Sequence, residues 1–380
     1  MSYTIGIDAR KLNDFGIGTY IRNLTGALGR LDRENRYVLL VSREGREALE
    51  ELPPNFEAVV EPSRVYSLTE LVSLTFTLRR LQLDLYHATH YVLPAVVPCR
   101  AVATIHDVIH LLFPEFLPNK LALLYAQRMI RHTLARADRI ITVSHNTKED
   151  LLDLFGIDGG KLDVVLNGVE EVYRRRLPAA DVLDALARYQ LKPGYLLFVG
   201  NPKPHKNLDN VVKAFSVATS LATFDAPLVC VGGRKGSEFK IRQRAEQLGV
   251  GDRVHVLGEV PAESLPAFYQ GAALFLYPTL YEGFGLPVVE AMASGVPVIT
   301  SNNSALREIA EGYAYLVNPL DVMGLAQAIA LCMQEPERRA ALSELGTRRA
   351  ADFSWDKAAR ATLDVYRRAL GVPILSEEAA

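Results

Sequence analysis

The sequence predicts an α/β protein made of two doubly wound parallel sheets in tandem. Three observations carry that prediction. The chain has 380 residues, room for two or three domains of ordinary size. Its apolar and charged fractions, 49% and 23%, are those of a globular chain and exclude disorder, collagen and a disulfide-stapled miniprotein. Short runs rich in Val, Ile and Leu, apolar on both faces, alternate with helical stretches along the chain, as parallel strands covered on both sides require.

Taken in order, strands are expected at 4–7, 37–41, 58–60, 85–88, 100–104 and 139–143, with helices at 19–31, 68–81, 120–137 and 147–155. The alternation then breaks. Residues 162–169 read as a short strand ending in a turn, 173–191 are charged and include Arg174-Arg175-Arg176, and Lys192-Pro193-Gly194 punctuates the chain. It restarts with strands at 195–199, 228–231, 254–257, 274–277, 296–300 and 313–316, and helices at 208–222, 240–248, 264–271, 287–294, 305–311, 322–334 and 336–353. A last helix, 355–370, follows a break at Phe353-Ser354, and 371–380 read as a frayed end. The domains are set at 1–172 and 190–355. Ligands of such sheets bind beyond the carboxyl ends of the strands. Two domains facing across a cleft can bring two substrates together there.

The 42 basic and 44 acidic side chains leave a formal net charge of −2. Residues 1–190 hold 23 and 24 of them, so neither half has the basic footprint of a nucleic-acid binder, and there is no acidic tail. Cys99, Cys230 and Cys332 stand far apart without zinc or redox spacing and read as reduced, buried, cytosolic thiols. The longest uncharged run, 264–281, contains Pro266 and Pro278, so no membrane span is expected. The N-terminus reads as a first strand rather than a signal peptide. The expected location is the cytosol, with the inner membrane face also open. Helix 120–137 sets Lys120, Arg128, Arg131, His132 and Arg136 among apolar residues, which fits a core helix with a solvated face or contact with anionic lipid.

Four strand ends carry candidate chemistry. In the first, Gly16-Ile17-Gly18-Thr19, two glycines before a Thr cap either admit an anion to a helix N-terminus or make a tight turn. The third glycine of a dinucleotide fingerprint is missing. The second is an apolar strand ending in His106-Asp107. A histidine there can donate to a sugar hydroxyl or phosphate oxygen, with the carboxylate fixing its orientation, or be a satisfied core residue. His87, His90 and His110 lie nearby, without metal-ligand spacing. The third, Gly200-Asn201-Pro202-Lys203-Pro204-His205-Lys206-Asn207, puts two lysines before a helix whose dipole already favours negative charge. An anion such as a diphosphate between them makes that arrangement favourable.

The fourth, Tyr281-Glu282-Gly283-Phe284-Gly285-Leu286-Pro287-Val288-Val289-Glu290, is the most informative. Pro287 suits a first helical turn, and the glycines expose backbone amides as an anion nest. Carboxylates do not bind phosphate, but Glu282 and Glu290 suit sugar and ribose hydroxyls. Incidental glutamates on a capped surface helix are the lesser reading.

This spacing of Glu282 and Glu290, with Gly-Phe-Gly-Leu-Pro between, resembles the E-x7-E signature of retaining glycosyltransferases of the GT-B fold, glycosyltransferase family 4. The resemblance runs through the whole chain: Gly16 and Gly18, His106-Asp107, Ser144, Asn167-Gly168-Val169, the 200–208 loop, Gly258-Glu259-Val260 and Phe353-Ser354-Trp355. It implies two Rossmann-like domains facing a cleft. The first takes the acceptor, the second the nucleotide-sugar donor, and a C-terminal helix, 356–372, crosses back onto the first. It further implies that Glu290 binds the ribose, that Glu282 lies by O3 and O4 of the donor sugar, and that the amides of Gly283, Phe284, Gly285 and Leu286 hold sugar and diphosphate. Lys206 would neutralise the diphosphate, and His106 would meet the sugar at O6 with Asp107 beside it. Gly16 and Gly18 would border acceptor and phosphates, Gly200, Lys203 and His205 the donor loop, and Val260 the base. Many relatives carry an arginine immediately before this lysine or several residues upstream. Here His205 precedes Lys206, so Lys203, a point charge rather than a fork, is the candidate substitute.

The activity so implied is transfer with retention. No first-domain carboxylate has the context of a double-displacement nucleophile, Asp107 being the nearest. Front-face transfer is therefore expected, with the departing phosphate taking the acceptor proton. No Asp-x-Asp motif is present, so neither metal nor further cofactor is expected. The opening strand and donor loop look like those of bacterial mannosyltransferases of polysaccharide and lipopolysaccharide assembly. That favours GDP-mannose as donor and a saccharide or lipid-linked saccharide as acceptor. A UDP-sugar enzyme of glucosyl or sugar-phosphate-synthase type stays open as the alternative. A non-catalytic nucleotide-sugar-binding protein and a GT-B epimerase are the readings outside the class; intact Lys206, Glu282 and Glu290 argue against a dead binding module.

Overall fold

A computed structural model describes every residue except Met1, Ala48, Glu50, Pro118, Arg234, Lys235, Ser237 and 374–380. The chain divides into two compact units, Met1–Gly168 together with the segment from Ser354 onward, and Val169–Phe353.

The first unit is a seven-stranded parallel sheet with strands β1 (Thr4–Asp8), β2 (Arg36–Val41), β3 (Phe56–Val60), β4 (Leu85–Ala88), β5 (Arg100–Ile105), β6 (Arg139–Thr142) and β7 (Leu162–Val164), in the order β3-β2-β1-β4-β5-β6-β7. The order reverses between β1 and β4. The second unit repeats the plan with β8 (Tyr195–Val199), β9 (Leu228–Val231), β10 (Val254–Gly258), β11 (Ala272–Tyr277), β12 (Val298–Ser301) and β13 (Tyr315–Val317), in the order β10-β9-β8-β11-β12-β13. Here the reversal falls between β8 and β11. In each sheet the reversal opens the crevice in which doubly wound proteins hold ligands. The doubly wound α/β class read from the sequence therefore forms twice. The central strands are apolar on both faces because helices cover both; four of the five residues of β8 are buried in a row.

The helix Trp355–Leu370 belongs to the first unit. It packs on the helix Phe15–Leu31 and on β5. Arg30 reaches its Asp356 at 2.6 Å, and its buried Tyr366 hydroxyl meets His87 Nδ1 at 2.7 Å. Residues 173–189, which the sequence leaves between domains, lie in the second unit, and so do 169–172, which it gives to the first. They form the helices Glu171–Arg174 and Ala179–Ala187, the latter against Leu265–Gly271. The arginine run is a set of ties. Arg174 Nη2 donates to the carbonyls of Ala350 and Phe353 at 2.8 and 2.7 Å, and Arg176 Nη1 to that of Ser294 at 3.1 Å.

Several expected bounds shift. The first helix starts at Phe15, four residues early, so Gly16 and Gly18 lie in its first turn and Thr19 is not its cap. Helical glycine is unfavourable by roughly 1 kcal/mol each. Burial of Tyr20, Ile21, Leu24 and Leu28 on the same helix outweighs that. β7 stops at Val164, five residues short, and the helix Pro336–Ala350 ends three residues early. Other ends move by one or two residues, as fraying ends do. All three cysteines are free thiols, but Cys99 is only half-buried. The frayed end expected from Gly371 lies outside the described residues from 374 on. Among the described residues no helix is long and apolar enough to cross a membrane.

Candidate active site

In the second unit the crevice between β8 and β11 is lined by the two loops that the sequence singles out. Lys206, in the turn Pro204–Lys206 after β8, donates through Nζ to Glu282 Oε1 at 2.7 Å and to the Tyr277 hydroxyl at 2.9 Å. Burial pulls the ammonium pKa down, but Glu282 and Tyr277 outweigh it and hold it above the ordinary lysine value. Lys206 is therefore a fixed cation. Two of its three N–H groups are used by these partners, which leaves one to aim at an added acceptor. The counter-charge expected from a ligand alone is thus partly supplied by Glu282. The pair is accessible, with side chains 16% and 13% exposed.

The nest beyond Glu282 is built as its glycines require. Gly285, at φ +112, precedes the helix Leu286–Ala293, and a Cβ on it would meet Leu306 Cδ2 at 2.5 Å. Phe284 is buried edge-on to Phe353, with centroids 5.7 Å apart. Glu290, inside that helix, accepts from the Tyr269 hydroxyl at 2.8 Å. Burial first, and then Glu170, push its carboxyl up to about 7 against the pull of Tyr269.

Backbone approaches close the rest of this edge. Gly200 lies so near β9 that a Cβ on Gly232 would fall 2.6 Å from the Gly200 oxygen, and the Gly232 N–H donates to the Gly258 carbonyl at 2.6 Å. Val260 follows two residues beyond. Lys203 is exposed. His205 contributes its carbonyl, which accepts from the Leu280 N–H at 2.8 Å. Asn207, at φ +61, does not cap the helix after it. Its Nδ2 donates to the carbonyls of Pro278 and Pro319 at 2.9 and 2.7 Å, tying three loops together.

In the first unit His106 follows β5. Its Nε2 faces the Thr89 carbonyl at 2.9 Å, and its ring meets Tyr20 edge-on at 4.8 Å. Burial pulls its pKa down to about 4. The neutral ring thus carries its proton on Nε2, and Nδ1 is an acceptor of hydroxyl protons rather than the expected donor. The Thr89 carbonyl orients the ring, and Asp107 Oδ1 accepts from the Ile109 N–H at 3.1 Å, at the start of a short helix. Gly16 is exposed with open space where a Cβ would go. Gly18 is buried, and a Cβ there would fall 2.4 Å from the Leu12 oxygen.

The crevice of the first unit, where the order reverses between β1 and β4, holds a cluster that the sequence does not announce. Arg10 Nη2 donates to Asp8 Oδ2 at 2.5 Å and to Glu70 Oε1 at 2.6 Å, and the Tyr86 hydroxyl donates to Asp8 at 2.9 Å. Burial pushes the Asp8 carboxyl up, but Arg10 prevails and holds it well below the usual range, whereas burial keeps Glu70 above it. Asp8, Glu70 and His90 could offer ligand atoms to a metal within 4.8 Å of one another. Arg10 already donates to the two carboxylate oxygens concerned, so a guanidinium is the cation here. Tyr269, Tyr277, Asn207 and this cluster are the site residues that sequence reading missed. Each looks like an ordinary residue until its partner, 21 to 112 positions away, is known.

Comparison with known proteins agrees with this geometry. Residues 16–172 match the model "Glycosyltransferase Family 4" and residues 187–349 the model "Glycosyl transferases group 1". The O-antigen chain mannosyltransferase B of Escherichia coli is 31% identical over 284 residues, 74% of either chain. Two solved structures share the fold. A sucrose-phosphate synthase from Thermosynechococcus elongatus has a TM-score of 0.80 at 21% identity, covering 97% of this chain and 99% of that one. Anabaena HepE, in complex with UDP and glucose, has 0.77 at 17%, covering 96% and 99%. Two parallel α/β units of this strand order, the Lys206–Glu282 pair at a switch point, and matches over both halves place the chain in glycosyltransferase family 4, among the glycosyl transferases of group 1, with the GT-B fold.

Proposed function

We propose that this glycosyltransferase moves a hexose, in the first instance mannose from GDP-mannose, onto a saccharide or lipid-linked saccharide in polysaccharide assembly of the O-antigen type. The observation that carries the reading is the accessible Lys206–Glu282 pair at the β8/β11 crevice. One N–H of the cation is left for a departing diphosphate, and a carboxylate beside it suits sugar hydroxyls. Glu290 is the ribose contact, and the amides of Gly283 to Leu286 hold sugar and phosphate. Val260 flanks the base. Gly200, Lys203 and His205 complete the donor loop. His106, through Nδ1, accepts from the sugar O6 hydroxyl, with Asp107, Gly16 and Gly18 bordering the acceptor side.

The reaction proceeds with retention and by front-face attack. The bond between anomeric carbon and diphosphate breaks, the acceptor oxygen enters on the same face, and its proton goes to the departing phosphate. The protein positions the partners and stabilises charge. Lys206 supplies the positive charge, so no metal or further cofactor is assigned. The mannosyl preference draws on the Escherichia coli relative, an O-antigen chain mannosyltransferase by name; the UDP alternative draws on the HepE complex. Titration with GDP, UDP and their sugar conjugates, on wild type and Glu290→Ala, tests this. Tight GDP binding lost in the variant supports the reading, UDP binding replaces the donor, and no binding by either removes the donor site.

The reading includes contact with the inner membrane surface by way of the first unit. The helix Lys120–Arg136 exposes Leu121 and Leu124 beside Arg128 and Arg131, and the helix Glu70–Leu81 exposes Val72 and Phe76 beside Arg79 and Arg80. The loop between them is bonded to both, Thr75 Oγ1 donating to the Val96 carbonyl at 2.9 Å and His132 Nε2 lying 3.1 Å from that of Pro94. Glu70, the one carboxylate on these helices, is buried. Apolar side chains among cations suit an anionic interface. Co-sedimentation with vesicles containing phosphatidylglycerol, and its absence with phosphatidylcholine alone, is the expected outcome.

A further inference from the structure

The segment that ends β12 is stitched to the loop that carries Glu282. Thr300 Oγ1 donates to the Tyr277 carbonyl at 2.9 Å, Ser301 Oγ to that of Thr279 at 2.5 Å, and Asn303 Nδ2 to that of Leu280 at 3.0 Å. The last stitch reverses direction: Ser304 Oγ accepts the Glu282 N–H at 3.2 Å. The loop after β8 adds further ties, through the His205 carbonyl on Leu280 and Asn207 on Pro278. Beyond the end of β11, the segment from Pro278 to Glu282 is thus held mainly by side chains rather than by a sheet ladder.

Ser304 is the strained member of this strap. Its φ is +50, one of five positive values at non-glycine residues among those described. Glycine adopts that backbone freely and a residue with a Cβ does not. Such strain persists only where surrounding structure over-determines it, and it gathers at functional sites. A turn alone would be served by glycine; the hydroxyl on Glu282 is what glycine lacks. Ser304 also heads the helix Ser304–Ala310, whose Leu306 fills the space beside Gly285. One short element therefore sets both ends of the Glu282–Gly285 nest.

We propose that Ser304 is a positioning residue, whose hydroxyl fixes the Glu282 amide and so the aim of the carboxylate toward Lys206 and the donor sugar. The inference rests on the reading of Glu282 as a sugar contact, and its test separates the two. Ser304→Gly, Ser304→Ala and Glu282→Gln are compared by hydrogen–deuterium exchange, melting temperature and donor hydrolysis, using whichever of GDP-mannose and UDP-glucose the wild type hydrolyses. Both Ser304 variants are expected to exchange faster over 277–285. In Ser304→Gly the relaxed backbone offsets the lost hydrogen bond, so Tm stays within about 2 °C. Its kcat nevertheless falls on the order of tenfold, with donor KM unchanged, because the carboxylate is misplaced while Glu290 is untouched. Ser304→Ala keeps the strain and loses Tm as well. Unchanged exchange over 277–285 in Ser304→Gly overturns the proposal. So does turnover within twofold of wild type when Glu282→Gln has lost its activity, or turnover that only tracks Tm. If Glu282→Gln itself keeps wild-type turnover, it is the sugar-contact reading that falls, and exchange alone decides whether Ser304 holds the loop.

Discussion

The carboxyl ends of β1 and β8 hold equivalent places in two sheets of one strand order, yet their charges are treated in opposite ways. At β1, Asp8, Arg10 and Glu70 form a cluster whose side chains are 0–1% exposed. Arg10 turns Nε and Nη2 on carboxylates of the same unit and Nη1 on Ser63, and Tyr86 closes the shell. At β8, Lys206 and Glu282 are paired at 16% and 13% exposure, and the ammonium keeps a direction in hand. The same topology offers the same crevice twice. A sealed ion cluster fastens one, and an accessible pair equips the other. Buried pairs are costly to break because the abandoned charge has no water, whereas accessible pairs contribute little to stability and remain available for chemistry.

Substitution at the two cations is the strongest test of that contrast. Arg10→Met leaves two buried carboxylates without their guanidinium. It should destabilise the chain by about 3–5 kcal/mol, seen as a Tm loss of about 10 °C; a loss below about 2 °C would break the comparison. Lys206→Met should cost the fold only about 1 kcal/mol, since Glu282 stays within reach of water. Its effect belongs to turnover, a fall of roughly 10²–10³ in kcat. Nearly full activity in that variant would strip the β8 crevice of its role.

Glu290 sharpens the picture through pH. Its folded pKa, about 7, lies above the ordinary value of 4.5. The protonated form is therefore favoured by folding, and that contribution is complete below about pH 4.5 and lost as pH rises through 7. Glu290→Gln should match wild type in unfolding free energy near pH 5 and exceed it near pH 8, by on the order of 1 kcal/mol once solvent screening of this partly exposed group is allowed for, as read by denaturant titration. Nucleoside diphosphate affinity should run the other way, tightening in the wild type from pH 6 to 8 as the carboxylate forms, with that dependence gone in the variant. The smallest effect is expected at exposed Lys203. Lys203→Ala should weaken diphosphate binding by about twofold, a surface charge being worth little. A tenfold loss measured by calorimetry would instead give it the place of the absent arginine.

Much of this was legible in the chain. β8 and β11 read as strands because apolar runs covered on both faces have few other uses. The segment from Tyr281 to Glu290 read as a site because glycines, a helix-starting proline and two carboxylates agree on one chemistry. The start of the first helix was not legible. Gly16 and Gly18 look like a loop, and only the burial of Tyr20 and Ile21 shows that the helix extends through them. The tautomer of His106 was equally hidden, because the Thr89 carbonyl that accepts from its Nε2–H lies 17 residues earlier.

The sequence by itself determined the two doubly wound sheets, the loops that bear the site and the residue types in them, since these follow from local periodicity, glycine placement and charge. Only the tertiary structure decided which charges meet. Arg10 finds Glu70 across 60 residues, Lys206 finds Glu282 across 76, and Glu282 finds Ser304 across 22. The reason is physical. A hydrogen bond or ion pair reaches only about 3 Å, so partners distant in sequence are chosen by the crossovers that bring strand ends together, and no local pattern records that choice.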